Sequence, residues 1–289
     1  MKEQTLQGYF INLEESRERS LQMQDSLDRL GLSQIVKRFP ALRSPTAKKH
    51  LSPPEHGCLL SHWTIIERAD PDLNLLVLED DTELSSRLPA LLRKLPETMR
   101  DLSMDIVFLG QTVEYADVKT HAKLLKAFNQ LQANSHASIM LDAQKFYRWG
   151  AFGYVIAPQA LEKISTLLRQ NVEHVDAVPI DNFFKHLIRS RAIKGGIVFP
   201  YVVGVNASLG TTMQQRSFAH EHDLHASLVN QYLHGSQVPD ESELWHTVLQ
   251  GTNDPRALAL CMRIYQSLTA PTKAAKSNLD TSGAASGLG

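Results

Sequence analysis

Short apolar runs alternate with stretches of helical spacing along residues 8–205. Gly8-Tyr9-Phe10-Ile11-Asn12-Leu13 predicts a first strand. Polar, helix-favouring residues follow from Glu14 to Arg29, with Leu21, Leu27 and Leu30 read as one apolar face and Gly31 as the C-terminal glycine. Residues 32–52 read as an irregular connection with an extended piece over Val36–Leu42. Pro53 and Pro54 open a helix over Glu55–Ala69, with Leu59, Trp63 and Ile66 on one face. Leu75-Leu76-Val77-Leu78 is short, bounded and aliphatic, and predicts a buried strand. Leu88–Leu102 predicts a helix interrupted near Pro96, and Asp105–Leu109 a second buried strand closed by Gly110.

Residues 111–148 are polar and carry only two weak helical patches, which suits a loop over a site. Order returns with a strand over Ala151–Ala157. A helix over Pro158–Arg169 follows, with Leu161, Ile164, Leu167 and Leu168 as its stripe. A helix over Ile180–Arg191 carries Phe183, Phe184, Leu187 and Ile188. Gly196–Val205 predicts a last strand, and Pro200 argues for an edge position. Strands alternating with helices predict an α/β fold. Beyond Arg216 the texture changes. Glu221–Leu233, Glu241–Leu249 and Asp254–Leu268 read as helices with no strand between them, and Ala270–Gly289 is small and polar. The expected division is residues 1–215 for the α/β domain, 216–268 for a helical appendage and 269–289 for a disordered tail. No internal repeat stands out.

Composition narrows the chemistry only a little. The 289 residues are 43% apolar and 21% charged, as in ordinary globular proteins, and the formal net charge is −1. No general attraction to nucleic acid follows from that charge. The two cysteines, Cys58 and Cys261, offer no disulfide framework and no thiolate zinc motif. Met1–Thr5 lacks the apolar core of a signal peptide, and no apolar stretch approaches the ~20 residues needed to cross a bilayer. The expectation is a reduced, cytoplasmic protein that visits a membrane only at its surface.

The chemistry concentrates where the aliphatic run meets Glu79-Asp80-Asp81. A buried strand ending in carboxylates delivers negative charge to the rim of the sheet, where ligands of open α/β sheets sit. Acids crowded there repel one another unless a cation joins them, and Mg²⁺ or Mn²⁺ commonly bridges carboxylates to a phosphate. The competing reading is that these acids cap a helix or sit solvated in a turn.

Four segments together resemble glycosyltransferase family 25, the family of bacterial lipooligosaccharide galactosyltransferases and collagen galactosyltransferase domains. They are Phe10-Ile11-Asn12-Leu13 with Arg17 and Arg19; Glu55-His56-Gly57-Cys58-Leu59-Leu60-Ser61-His62; Leu78-Glu79-Asp80-Asp81; and Trp149-Gly150-Ala151-Phe152-Gly153-Tyr154-Val155-Ile156 followed by Val175–Asp181. The resemblance spans about residues 8–215 and does not reach the C-terminal helices. It implies a GT-A-like nucleotide-diphospho-sugar fold with a Rossmann-like central sheet, and inverting transfer from a UDP-sugar with Mn²⁺ or Mg²⁺. The implied acceptor is a glycan or glycolipid, more simply of a bacterial surface saccharide than of collagen, because the chain has neither leader nor cysteine framework.

On that reading Asp81 is a direct metal ligand and Asp80 a second, while Glu79 reaches the ribose or a metal-bound water. Asn12, Leu13, Arg17, Arg19, Ser61 and His62 join Glu79 and Asp80 as donor-site candidates. The competing reading makes at least one of the two arginines solvent-facing. Asp181 is the candidate base and Asp176 the runner-up; as an alternative, Asp181 merely caps its helix. His220 or His222 would complete the metal shell, against surface residues of no defined motif. Trp149 and Tyr154 are candidates to stack on a sugar, though Trp149 equally suits a core. Cys58 is read as a small residue without a base partner. Two other classes stay open: a metal-dependent phosphohydrolase, and a non-catalytic sugar-nucleotide-binding protein of the same fold. Donor sugar, linkage and oligomeric state are not written in the sequence.

Overall fold

The computed structural model describes residues 6–112 and 138–206. The predicted C-terminal helices, the tail, His220 and His222 lie outside the described residues. A seven-stranded sheet has the order β2-β1-β3-β7-β5-β8-β6. Its strands are β1 (Leu6–Asn12), β2 (Val36–Pro40), β3 (Asn74–Glu79), β5 (Ile106–Phe108), β6 (Ile139–Asp142), β7 (Gly153–Ile156) and β8 (Gly195–Phe199). β1 runs parallel to β2 and β3, and β5 parallel to β8, while β7 and β6 run antiparallel to their neighbours. The sheet is therefore mixed, with most strands in one direction, as an α/β chain requires.

Alternation along the strands sends side chains to two cores. Leu75 and Val77 of β3 join one cluster with Ile106, Phe108, Tyr154 and Ile156. That face is covered by α2 (Pro53–Glu67), α4 (Ala143–Phe146), α5 (Pro158–Glu173) and α6 (Ile180–Arg189). Leu76 and Leu78 point the other way, into a cluster with Val107, Leu109 and Val155. There α1 (Arg17–Arg29) and α3 (Leu88–Asp101) close the layer. A strand buried on both faces has no polar alternation, which is why β3 reads as a continuous aliphatic run.

Several expectations are corrected. Leu21 does not belong to the buried face of α1: it is 67% exposed, and Met23 and Leu27 are buried instead. Met23 precedes Leu27 by one helical turn, whereas Leu21 falls on a different side. α3 is not interrupted at Pro96. Leu88, Leu92, Leu95 and Met99 are all buried along one stripe. At roughly 1.5–3 kcal/mol each, that burial outweighs the roughly 3 kcal/mol of an internal proline. Residues 138–148, expected as loop, supply β6 and α4. The last strand is not at an edge: β8 lies between β5 and β6, and its ladder ends at Phe199, before Pro200. The chain then turns and forms β9 (Val203–Val205), which pairs with β4 (Thr82–Leu84) in a separate two-stranded ribbon.

α2 begins on a complete capping box. The Ser52 hydroxyl accepts from the Glu55 backbone N–H, and the Ser52 N–H donates to Glu55 Oε2 at 2.8 Å. Ser52→Ala is expected to cost about 1 kcal/mol, and so to lower Tm by roughly 2–4 °C. A melting curve superimposable on that of the unaltered chain would show that the box adds nothing. Among the described residues, no helix is long and apolar enough to cross a membrane.

Candidate active site

β1 and β3 end side by side. Their parallel register sets Ile11 opposite Glu79, so Asn12 and Asp80 emerge as neighbours. Asn12 is 1% exposed and donates from Nδ2 to Asp80 Oδ2 at 2.7 Å. Arg38 on β2 in turn donates to Asn12 Oδ1 at 2.7 Å, which fixes the amide's orientation. Arg19, from the first turns of α1, reaches Asp80 Oδ1 at 3.2 Å and lies 3.7 Å from Asp81 Oδ2. Asn12 and Arg19 therefore brace the acids. Arg17 is exposed on α1 and does not line the cavity. Arg38 carries no local signal of this role, because it follows Lys37 in a mostly exposed strand.

Asp80 and Asp81 form a tight turn between β3 and β4. The Thr82 hydroxyl donates to the Glu79 carbonyl at 2.8 Å, and the Asn206 N–H to the Asp81 carbonyl at 2.7 Å. Asp81 Oδ1 is buried with no hydrogen-bond partner. These acids line a cavity of about 650 Å³ at the strand ends, together with Leu13, Arg19, Ser61 and His62.

α2 forms one wall of that cavity, and its residues divide the work. A Cβ on Gly57 would stand 2.5 Å from the Leu42 carbonyl, so only glycine lets the 41–45 loop lie against the helix. Ser61 Oγ accepts from the Leu42 N–H at 2.8 Å and donates to the Gly57 carbonyl at 2.8 Å, tying that loop down. His56 Nδ1 lies 2.9 Å from Ser44 Oγ. Ser61 thus holds the wall. His62 is fully buried, with Nδ1 at 2.8 Å from Tyr154 Oη and Nε2 at 3.3 Å from Glu79 Oε1.

The remaining candidates separate. Tyr154 is fully buried in β7 against Phe184, so it has no free face for a sugar and serves instead as the partner of His62. Trp149 has one ring face covered by the Lys185 ammonium, 3.4 Å from the ring centroid. Asp176 pairs with Lys49 at 2.7 Å and lies 3.6 Å from His50, outside the cavity lining. Asp181 does not cap α6. The N-cap is Pro179, and no side chain caps it. Instead Asp181 Oδ1 accepts from the Gly150 and Ala151 N–H groups at 3.1 and 2.5 Å. Gly150 has φ +112°, a conformation that side-chain-bearing residues rarely adopt, and this turn aims both amides at one oxygen. Asp181 stays partly accessible, though like Asp176 it is not among the residues that line the cavity.

Burial dominates the electrostatics. It lowers His62 to about 4, so the ring is neutral. It raises Glu79 to about 8, aided by Asp181 and Asp80 and opposed by Arg19. It raises Asp81 to about 7, aided by Glu79 and Asp80 and again opposed by Arg19. Asp181 is also raised by burial, against the two amides that lower it. A single guanidinium does not neutralise this group of acids. A hard divalent cation fits the donor set, because Asp81 offers an unpartnered carboxylate oxygen and its neighbours offer charge.

The signs predict a pH dependence. A neutral His62 contributes stability above its ordinary 6.5, and that contribution fades as pH falls through about 4. Carboxyls held above their ordinary values contribute below those values, and that contribution is lost as pH rises through about 7 for Asp81 and 8 for Glu79. Among these groups the acids dominate the change from pH 6.5 to 8. The Tm of the protein in excess chelator is expected to fall across that window, and less steeply in Glu79→Gln. Scanning calorimetry checks it, and a Tm that holds or rises refutes it.

Comparison with curated proteins finds no match. The family model described as glycosyltransferase family 25 (LPS biosynthesis protein) matches residues 34–184, just over half of the chain.

Proposed function

The chain belongs to glycosyltransferase family 25, and from that premise we propose that it transfers a hexose from a UDP-sugar, galactose before others, to a bacterial surface saccharide. The transfer inverts the anomeric carbon and depends on Mn²⁺ or Mg²⁺. Lipopolysaccharide or a related glycolipid is the acceptor, met at the membrane surface. The observation that carries the reading is the buried, unpartnered Asp81 oxygen in the wall of the cavity at the ends of β1 and β3.

Asp81 would hold the cation, with Asp80 presented beside it by Asn12 and Arg19. The cation, when bound, supplies Lewis-acid stabilisation of the departing diphosphate. The Arg19 guanidinium adds fixed positive charge at the same place, already oriented before the sugar–phosphate bond breaks. Asp181 takes the proton from the attacking hydroxyl. Its Oδ1 is held by two amides, and its raised proton affinity suits a base working near neutrality. His62 stays neutral and holds Glu79 at the cavity wall.

Incubation with a panel of UDP-sugars and Mn²⁺ tests the proposal. UDP release that requires the metal and rises with a saccharide acceptor supports transfer. Phosphate release from simple monoesters, with no acceptor effect, would make the site a phosphohydrolase. Binding of UDP-sugar with no turnover would make it a binding protein.

A further inference from the structure

Cys58 and His62 stand one helical turn apart on α2, and both face Glu79 at the end of β3. His62 and Glu79 have appeared above as cavity-wall residues, but no role so far joins Cys58 to them. The Cys58 Sγ, His62 Nε2 and Glu79 Oε1 atoms all lie within 4.8 Å of one another. Nε2 and Oε1 are 3.3 Å apart, and Sγ and Oε1 4.0 Å apart. Around a tetrahedral zinc ion, nitrogen and oxygen ligands stand about 3.3 Å apart, and sulfur and oxygen about 3.5 Å. The first pair is already at ligand spacing, the second stands about 0.5 Å wider than zinc would hold it, and the Sγ–Nε2 pair lies within the same 4.8 Å bound. Tyr154 Oη at His62 Nδ1 supplies the partner that a ligating imidazole needs on its other nitrogen.

We propose that Cys58, His62 and Glu79 form a second cation site, selective for thiophilic divalent ions of the zinc class. One thiol, one imidazole and one carboxylate leave a fourth position open toward the cavity. Binding exchanges the Cys58 thiol proton for a metal–sulfur bond and the proton that burial keeps on Glu79 near neutrality for a metal–oxygen bond, with both protons released to solvent. Softness divides the two sites. The oxygen-only donors at Asp81 suit Mn²⁺ or Mg²⁺, and the sulfur-containing trio suits zinc. Because the trio lines the donor cavity, a loaded ion obstructs it. Zinc is therefore expected to inhibit transfer. That consequence rests on the function proposed above, whereas binding does not.

Cobalt(II) replaces zinc as a visible probe on the full-length chain freed of metal. The expected result is a thiolate-to-cobalt absorbance band that saturates at one equivalent and is bleached by zinc. It should be lost in Cys58→Ser and retained in Asp81→Asn and Cys261→Ser. Absence of the band, its survival in Cys58→Ser, or its loss in Cys261→Ser would overturn the site. Should Cys58→Ser fail to fold, the unaltered chain decides. Zinc should slow iodoacetamide labelling of Cys58, mapped by mass spectrometry, at least about tenfold, and an unchanged rate refutes the site. Zinc binding without inhibition of transfer would overturn the obstruction alone. Binding without any transfer activity would sink the proposed function and leave the site standing.

Discussion

Asp81→Asn is expected to lower transfer by about 10³-fold or more, because the charge that would anchor the cation is removed where Lewis-acid stabilisation is worth several kcal/mol. Mn²⁺-dependent binding of UDP-sugar, read by calorimetry, should weaken with it. The fold should not suffer. Burial first, and then repulsion from Glu79 and Asp80, already raise the proton affinity of Asp81. The neutral amide relieves that repulsion, so Tm at pH 8 is expected to hold or increase. Loss of activity with retained or higher stability marks a site whose charges serve the reaction at the expense of the apoprotein. Unchanged turnover in Asp81→Asn would remove this residue from the cation's shell.

Asp181→Asn separates a base from a brace. The asparagine side chain keeps an oxygen for the Gly150 and Ala151 amides. It no longer accepts a proton. Turnover is expected to fall about 10²–10⁴-fold, with UDP-sugar affinity and Tm close to those of the unaltered chain. Asp181→Ala differs, because it orphans both amides and costs about 1–3 kcal/mol for each one left buried. If Asp181→Asn turns over normally while Asp181→Ala melts early, the residue is only a brace.

Much of the scaffold was legible in the residues because burial writes simple patterns. β3 is aliphatic on both faces and was read almost to its ends, and α5 and α6 carry stripes that match their buried sides. Apart from Leu21 and Pro96, which turned on their own helices, what failed depended on neighbours distant in sequence. Pro200 argued for an edge, yet β8 is interior because β6 adds outside it. Tyr154 looked like a sugar platform, yet its fate was set by His62 and Phe184. Within the site, the acids announced themselves as charge after an aliphatic run. The roles of Asn12, Arg19 and Arg38 did not, because a hydrogen bond between strand ends depends on parallel register, which no local pattern encodes.

The approach of the 41–45 loop to Gly57 bears on what each residue of α2 is there to do. On the helix segment Glu55–His62, the acid closes the N-terminus, the glycine admits a neighbouring backbone, the serine rivets that backbone and the final histidine steadies Glu79. Such a signature is the imprint of masonry. The segment builds a partition between the 41–45 loop and the sheet. A change at Gly57 or Ser61 is therefore expected to breach the partition before it alters anything the cavity holds.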